Sequence, residues 1–289
     1  FVDNSKSVPF NMPLLQTLRE LNQVRKKYSD NSVGLVPTMG ALHKGHLALI
    51  EKATQENEVV WVTIFVNPTQ FNNSNDLKNY PVTLAEDVKS IHDVHPNIQI
   101  FAPSISEMYP QKAEANIYSF DGLDLVMEGK DRPGHFNGVI TIVSKLFDTI
   151  QPNRAYFGEK DFQQLQIIKN WAKNNAIPTQ IIACPIVREP HGLAMSSRNA
   201  LLSKDIREEA GFIYKTLKRC TTGNKTKKEI YEEIEVAFNA HPNFTLHYAL
   251  CVNEANLREV YEIDKSQQQR LFIAASVERV RLIDNIALK

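Results

Sequence analysis

The feature that most constrains the fold is a run of eight apolar or β-branched residues, Val59 to Val66. The run has no polar face, which is typical of a central parallel strand covered by helices on both sides. A shorter apolar segment, Val33–Val36, precedes it, and residues 46–56 between the two have apolar residues at helical spacing. A strand, a helix and a second strand within about 35 residues indicate a βαβ unit.

The same alternation continues to about residue 187. Further helices are predicted where apolar residues recur at helical spacing, at Leu14–Leu21, Leu84–Ile91 and Phe162–Trp171. Pro13 suits the first turn of the first of these helices. Further strands are predicted at Ile98–Ala102, Ala155–Phe157 and Gln180–Val187. Repeated alternation predicts an α/β domain over residues 1–187, with a Rossmann-like doubly wound parallel sheet and ligands at the carboxyl ends of its strands.

The pattern changes in residues 188–289. Helices are predicted at 204–218 and 227–239, the second opened by a capping box of Thr226 and Glu229. Strands are predicted at 244–252, 271–277 and 279–284. Helices followed by antiparallel strands predict a smaller C-terminal α+β domain.

Composition excludes several classes of protein. Lys and Arg number 33 and Asp and Glu also number 33, so the chain lacks the positive surplus that a nucleic-acid-binding protein uses against phosphates. No apolar run approaches the roughly 18 residues of a membrane span, and no secretory pattern is seen at Phe1. Cys184, Cys220 and Cys251 lack metal-binding spacing and are expected to be reduced. We expect a globular cytoplasmic protein that binds neither nucleic acid nor membrane.

The segment Pro37–His46 is the most informative for function. It lies between the first central strand and the following helix, where unpaired N–H groups and the helix dipole favour anions. Gly40 and Gly45 allow a ligand to approach the backbone closely. The segment therefore predicts a phosphate-binding loop.

His43 and His46 are three residues apart in this loop, so both imidazoles can donate to one phosphate group. A metal site is a weaker alternative, because no third ligand lies nearby and the H-E-x-x-H pattern is absent. A capped loop with surface histidines also stays open as an alternative. His92 and His95 have the same spacing, but they end a predicted helix next to a proline, where we expect a solvated helix terminus.

A second polar segment, Gly158–Asp161, lies between the strand that ends at Phe157 and the next helix. Lys160 suits a phosphate as a point charge, although a turn with a surface ion pair is an equal alternative. Gln163 and Gln164 follow in the first turn of the helix, where one can point into a cleft and the other away.

The third segment, Met195–Arg198, offers two hydroxyls and a guanidinium on a loop, which suits a mobile phosphate clamp. After the second central strand, Asn67–Phe71 offers neutral amides beside an aromatic ring, which suits a hydroxylated carboxylic acid. A simple turn is an alternative for Asn67–Phe71, and ordinary surface composition for Met195–Arg198. No G-x-S-x-G, P-loop or G-x-G-x-x-G pattern appears, which disfavours serine hydrolases, P-loop kinases and dinucleotide dehydrogenases. Together the segments favour a nucleoside triphosphate.

These motifs resemble those of a known enzyme family. Pro37–His46 and Met195–Arg198 resemble the H-x-G-H motif and the second, mobile phosphate loop of the class I aminoacyl-tRNA synthetase and nucleotidyltransferase superfamily. In order and spacing, a fuller set resembles the pantothenate synthetase (pantoate–β-alanine ligase) family: Pro37–His43, Phe65–Phe71, Glu128–Gly129, Arg132–Phe136, Phe157–Asp161 with Gln164, Met195–Asn199 and Arg281–Asn285.

The resemblance implies an enzyme, an AMP-forming ligase in pantothenate biosynthesis that joins (R)-pantoate to β-alanine through a pantoyl adenylate and releases AMP and pyrophosphate. It implies His46, His43 and Lys160 as catalytic residues, and Gln70 and Gln164 as ligands of pantoate, Gln70 also reaching β-alanine. The ATP site it implies contains Met39, Gly40, Ala41, Leu42, His43, Lys44, Gly45, His46, Gly158, Glu159, Lys160, Asp161, Val187, Met195, Ser196, Ser197 and Arg198. It also implies Mg²⁺ with ATP and a homodimer.

The chain departs from the family pattern at Asn72–Asp76, where glycine and a further acid are frequent, and at Val82, where a basic residue is frequent. Asp87 is a possible Mg²⁺ contact, but a lone acid on a helix is more often solvated, so the metal ligands stay open. Two other classes stay open as well. A nucleotidyltransferase would need cationic residues to bind the phosphate of its acceptor, whereas Gln70 and Gln164 are neutral. A non-catalytic regulator would be expected to lose Lys160 or a histidine, and this chain has both. Zero net charge disfavours a tRNA synthetase.

Overall fold

The computed structural model describes residues 14–288 and divides the chain into two compact units built from interleaved segments. The first unit comprises residues 14–119, 132–157 and 168–184, and the second comprises residues 120–131, 158–167 and 185–288. The polypeptide therefore crosses between the units several times.

A six-stranded parallel sheet forms the centre of the first unit. Its strands are β1 (Leu14–Leu15), β2 (Val33–Thr38), β3 (Val59–Ile64), β4 (Gln99–Phe101), β5 (Arg154–Gly158) and β6 (Gln180–Cys184). The strand order is β1-β4-β3-β2-β5-β6. Every residue of β3 is buried, as expected for a strand covered on both faces. The order reverses between β2 and β5, the topological switch point outside which such sheets bind their ligands.

The helices of the described residues are only in part those that the sequence pattern predicts. They are α1 (Leu18–Lys26), α2 (Lys44–Glu56), α3 (Ser74–Lys78), α4 (Leu84–Val94), α5 (Ile105–Met108), α6 (Met127–Asp131), α7 (His135–Ile150), α8 (Phe162–Asn174), α9 (Lys204–Glu209), α10 (Phe212–Cys220) and α11 (Lys227–Asn239). Short 3-10 turns occupy Pro68–Gln70, Glu159–Asp161 and Ser197–Leu201.

The second unit contains an antiparallel sheet of three strands, β7 (Thr245–Asn253), β8 (Gln269–Val277) and β9 (Val280–Leu288), in that order. One face packs against α10 and α11 through a core that includes Phe212, Leu217, Ile230 and Leu271. The predicted fold class, a doubly wound parallel sheet with a smaller α+β part, is confirmed.

Several predicted elements are wrong in detail. Leu14 lies in β1, where it pairs with Ile100 of β4 rather than starting a helix. Helix α1 begins later because Thr17 and Glu20 form a capping box there, and Pro13 lies outside the described residues. Strand β6 ends at Cys184, so Val187 is not in a strand.

The helix predicted at 204–218 is interrupted at Ala210 and Gly211, between α9 and α10. The carbonyl oxygen of His191 approaches so closely that a Cβ at Gly211 would lie 2.3 Å from it. The chain thus bends where a second segment packs against its backbone. Strands β8 and β9 also extend beyond the predicted limits.

Helix α7 is absent from the sequence prediction although it is a long helix. Its apolar residues recur at helical spacing along one broad face, and Ile140, Val143 and Ile150 are all buried. The helix could therefore have been predicted from the sequence pattern.

Candidate active site

The loop after β2 is held in its shape by hydrogen bonds from both of its sides. The Thr38 hydroxyl donates to the carbonyl oxygen of Thr63 (2.7 Å) and accepts from the amide of Gly40 (3.2 Å). Gly40 and Ala41 have φ values of 81° and 50°, in the left-handed region that favours glycine. A Cβ at Gly40 would also lie 3.0 Å from a carboxylate oxygen of Asp87.

Asp87 of α4 fixes this loop. Its two carboxylate oxygens accept hydrogen bonds from the amides of Ala41 (2.9 Å) and Leu42 (2.7 Å), and Thr83 donates a third at 3.2 Å. Burial raises the pKa of Asp87, and the two amide hydrogen bonds oppose that shift. The expectation of a solvated acid is wrong, because the side chain is only 3% exposed. Asp87 is a structural anchor that the sequence reading did not identify.

His43 and His46 form a reciprocal capping box at the start of α2. The Nδ1 atom of His43 accepts from the amide of Gly45 (3.1 Å), and the Nδ1 atom of His46 accepts from the amide of His43 (3.4 Å). Since Nδ1 accepts in both rings, the proton of each neutral imidazole is on Nε2. The rings are stacked, with centroids 4.1 Å apart, so the two histidines share one face of the loop as the spacing predicts.

The amides after β3 are organised around Asn67, which is almost completely buried. Its Nδ2 donates to the side-chain oxygen of Gln70 (3.1 Å) and to the carbonyl of Gly138 (3.0 Å), and its Oδ1 accepts from the Tyr109 hydroxyl (2.7 Å). Asn67 is therefore structural, whereas Gln70 is only partly buried. Because the oxygen of the Gln70 carboxamide is used by Asn67, its NH₂ group is the donor that can face a ligand.

The segment that begins at Arg132 supports the 3-10 turn that carries Gln70. The backbone oxygen of Gln70 accepts from Nδ1 of His135 (2.8 Å) and from Arg132 (3.4 Å). At Gly138 of α7, an added Cβ would lie 2.3 Å from the carbonyl oxygen of Thr69. The glycine thus permits α7 to pack directly against this turn.

In the second unit, Lys160 lies in the 3-10 turn that follows β5. Its Nζ is 3.3 Å from a carboxylate oxygen of Asp161, and its side chain is 20% exposed. The preceding Gly158 has φ −76° and ψ 137°, which any residue adopts. Among the described residues, no heavy atom lies within 4 Å of a Cβ built there. The turn therefore leaves open space beside its backbone.

The two glutamines at the start of α8 differ in burial. Gln163 is buried, donates to the carbonyls of Leu123 and Val126 (both 2.8 Å) and accepts from the amide of Glu128 (3.0 Å). Gln164 is partly exposed. Gln163 thus ties α8 to the segment before it.

The loop that contains Met195–Arg198 is anchored by the residue that follows it. Asn199 is buried, and its Nδ2 donates to Glu189 (2.8 Å) and to the carbonyl of Ala194 (3.0 Å). Glu189 also accepts from Nε of Arg207 at 2.8 Å. Burial alone would raise the pKa of Glu189, but the hydrogen bonds from Arg207 and Asn199 outweigh it and hold the pKa below its ordinary value.

Within the loop, the Ser196 hydroxyl caps the 3-10 turn by accepting from the amide of Arg198 (3.3 Å). The amide of Met195 donates to the carbonyl of Val187 (3.0 Å), so these two predicted ATP contacts are neighbours. Ser197 and Arg198 are partly exposed.

Comparison with known proteins identifies the family. The model of the pantoate–β-alanine ligase family matches residues 13–287, nearly the whole chain. The chain belongs to this family.

Relatives and solved structures agree with the family. The pantothenate synthetase of Flavobacterium psychrophilum is 46% identical over 260 residues, which cover 89% of this chain and 92% of the relative. That of Christiangramia forsetii is 44% identical over 281 residues, covering 95% and 99%. The pantothenate synthetase of Thermus thermophilus superposes with a TM-score of 0.89 at 36% identity, covering 96% and 99%. The enzyme from Francisella tularensis, solved with beta-gamma ATP and β-alanine, superposes with a TM-score of 0.80 at 37% identity, covering 96% and 98%.

The predicted family, enzyme class and fold are thereby confirmed: the chain is a ligase of the pantoate–β-alanine family, with pantothenate biosynthesis as its process. Within residues 14–288, no three His, Cys, Asp or Glu side chains are grouped to hold a metal ion. None of the helices in the same range is both long and apolar enough to span a bilayer. The three cysteines are buried thiols, as predicted, and burial raises the pKa of Cys220 and of Cys251 to about 12.

Proposed function

We propose that the enzyme joins (R)-pantoate to β-alanine in two steps through a pantoyl adenylate. A carboxylate oxygen of pantoate attacks the α-phosphorus of ATP, the bond to the β-phosphate oxygen breaks, and pyrophosphate leaves. The amine of β-alanine then attacks the acyl carbon, loses a proton and expels AMP. The relative solved with beta-gamma ATP and β-alanine supports both substrates.

The observation that carries this proposal is the pair of amide hydrogen bonds that the Nδ1 atoms of the two loop histidines accept. Because the Nδ1 atoms of His43 and His46 accept from backbone amides, each neutral ring has an N–H donor at Nε2. Two fixed donors on one side of a loop suit oxygens whose negative charge grows in the transition state, and preorganised donors of this kind supply a large part of catalysis.

The other proposed roles rest on the resemblance of these motifs to those of the family. Lys160 contributes a positive charge to the phosphates, Gly158 and Asp161 hold the ribose side, and Glu159 is a further ATP contact. Val187 meets the adenine through its backbone. The proposed phosphate loops contain Met39, Gly40, Ala41, Leu42, Lys44 and Gly45 after β2, and Met195, Ser196, Ser197 and Arg198 in the second unit.

Gln70 and Gln164 bind pantoate, whose hydroxyls and carboxylate suit the neutral amide donors of both side chains. Gln70 is the better defined of the two, because Asn67 and His135 fix its side chain and its backbone respectively. We propose that its NH₂ group also reaches β-alanine.

Mg²⁺ enters as the ion bound to ATP and belongs to the substrate. Magnesium is usually held by one or two carboxylates together with phosphates and water. Both carboxylate oxygens of Asp87 accept hydrogen bonds from backbone amides, so this residue does not fit a resident metal site. No step is assigned to the ion. We also propose that the enzyme is a cytoplasmic homodimer with a domain boundary at residue 187.

Isotope transfer tests the two-step route. With ¹⁸O in both carboxylate oxygens of pantoate, the adenylate route delivers one labelled oxygen to AMP and keeps the other in the amide carbonyl of pantothenate. Mass spectra of the isolated AMP check this outcome. Label that appears in inorganic phosphate, or unlabelled AMP from a productive reaction, would contradict the route.

A further inference from the structure

Asn285 of β9 contacts the turn that carries Lys160, although the two residues are 125 positions apart in the chain. Its Nδ2 donates to the carbonyl oxygens of Glu159 (2.9 Å) and Lys160 (3.0 Å). The side chain is only 2% exposed. One carboxamide therefore holds two consecutive carbonyls of the turn.

The orientation of this carboxamide is fixed by its other partners. Its Oδ1 accepts from Nη1 of Arg270 at 2.6 Å, and because arginine has no acceptor the opposite orientation is excluded. The backbone N–H of Asn285 donates to the carboxylate of Asp284 (2.8 Å). That carboxylate is paired in turn with Arg188 at 2.6 and 2.9 Å. Both hydrogens of Nδ2 are thus directed at the turn.

Arg270 also holds the end of the turn where α8 begins. Its guanidinium carbon lies 4.0 Å from the ring centroid of Phe162, the first residue of α8, and its Nε donates to Glu254 at 2.8 Å. Asn285 and Arg270 therefore contact the turn at consecutive points, from Glu159 to Phe162.

We propose that Asn285 is a positioning residue that sets where the ammonium group of Lys160 lies. This inference rests on the proposed function, in which Lys160 acts on the phosphates of ATP. Asn285 touches no reacting atom, and it acts by fixing the backbone from which the lysine projects. Strand β9 thereby contributes to the adenylation of pantoate.

A double-mutant cycle separates this role from a structural one. Pantoate-dependent ATP–pyrophosphate exchange is measured for the wild-type enzyme, Asn285→Ala, Lys160→Ala and the double variant. We expect Asn285→Ala to lower the exchange kcat by about tenfold to a hundredfold, since misplacing a catalytic group by about 1 Å costs that much. The KM for ATP should change by less than about threefold. The double variant should be no worse than Lys160→Ala alone.

Two further variants keep the test interpretable. Asn285→Asp keeps the size and the acceptor toward Arg270 but has no hydrogen to donate, so it should lose as much kcat as Asn285→Ala. Val277→Ala removes a buried core side chain of β8 that is remote from the turn, so it should lower Tm and leave kcat unchanged. A wild-type kcat in Asn285→Asp, or multiplied losses in the double variant, would overturn the inference.

A second readout does not depend on catalysis. The labelling rate of the Lys160 amine by acetic anhydride, followed by peptide mass spectrometry, should change in Asn285→Ala, while that of Lys169 on α8 stays constant. An unchanged Lys160 rate would overturn the inference. A wild-type protein without exchange would contradict the proposed function alone, because the labelling still reports whether Asn285 positions the lysine.

Discussion

The imidazoles of His43 and His46 combine a structural and a chemical part in the same ring. Each uses Nδ1 to accept from a backbone amide at the start of α2, so the cap also selects the Nε2–H tautomer. A capping side chain without an imidazole would still stabilise the start of α2 but would not supply the Nε2–H donor. Substitution can therefore separate helix stability from catalysis at this position.

For His43 the separation uses two variants. Asparagine is a preferred N-cap residue, so His43→Asn should keep the free energy of unfolding within about 0.5 kcal/mol of the wild type. It should nonetheless lower kcat by a factor that corresponds to about 2.7–4 kcal/mol. His43→Ala should lose the same activity and a further ~1 kcal/mol of stability. Urea denaturation and steady-state kinetics check both quantities, and equal stability of the two variants would contradict the cap.

Lys160→Ala should lower the rate of adenylation by two to three decades, about 2.7–4 kcal/mol, because a fixed positive charge is lost from the phosphates. The protein should stay folded, since the only ion pair of the lysine that the structure shows is with the neighbouring Asp161 in the same turn. Gln164→Ala provides the contrast, because it should mainly raise the KM for pantoate. Near-normal adenylation by the lysine variant would remove Lys160 from its proposed role.

At the scale of elements, local sequence patterns predict most of the central strands and helices, but they do not predict contacts between residues that are distant in the chain. Strands β2 and β3 and helices α2, α4 and α8 follow from runs and spacing within a few residues. The partners of the site loops do not, because Asp87 lies 46 residues from Ala41 and Asn285 lies 125 from Lys160. Only the fold brings these residues together, so a single sequence contains no local signal for them.

Helix α7 and the turn at Pro68–Gln70 form one such pair of distant elements. In Gly138→Ala the new Cβ would meet backbone atoms of Thr69 and Gln70 at 2.3–2.7 Å, and backbone cannot move aside easily. We expect a loss of about 1–3 kcal/mol in stability. We also expect a KM for pantoate raised about tenfold, because Gln70 is displaced. Ser144→Ala, on the same helix, is the control, and a Gly138 variant that behaves like it would refute this packing.

The loop anchor at Glu189 makes stability depend on pH. Its pKa in the folded protein lies below the ordinary value of 4.5, so its ionised form contributes stability above that value. This contribution is lost as the pH falls below 4.5 and through the folded pKa. Glu189→Gln should cost about 1–2 kcal/mol at neutral pH, with a difference from the wild type that narrows in acid. Thermal unfolding at several pH values tests this, and a constant difference would contradict it.

At the scale of the whole molecule, the chain forms two compact units built from interleaved segments. His43, His46 and Gln70 belong to the first unit, and Lys160 and Gln164 belong to the second. The family match over residues 13–287 shows that the chain carries the full length of the ligase pattern. The central proposal is that this enzyme adenylates pantoate.

Pantoate-dependent ATP–pyrophosphate exchange, run with Mg²⁺ and without β-alanine, tests this claim most directly. We expect incorporation of labelled pyrophosphate into ATP only when pantoate is present, and formation of pantothenate once β-alanine is added. Folded protein that binds ATP but shows no exchange with pantoate would contradict it.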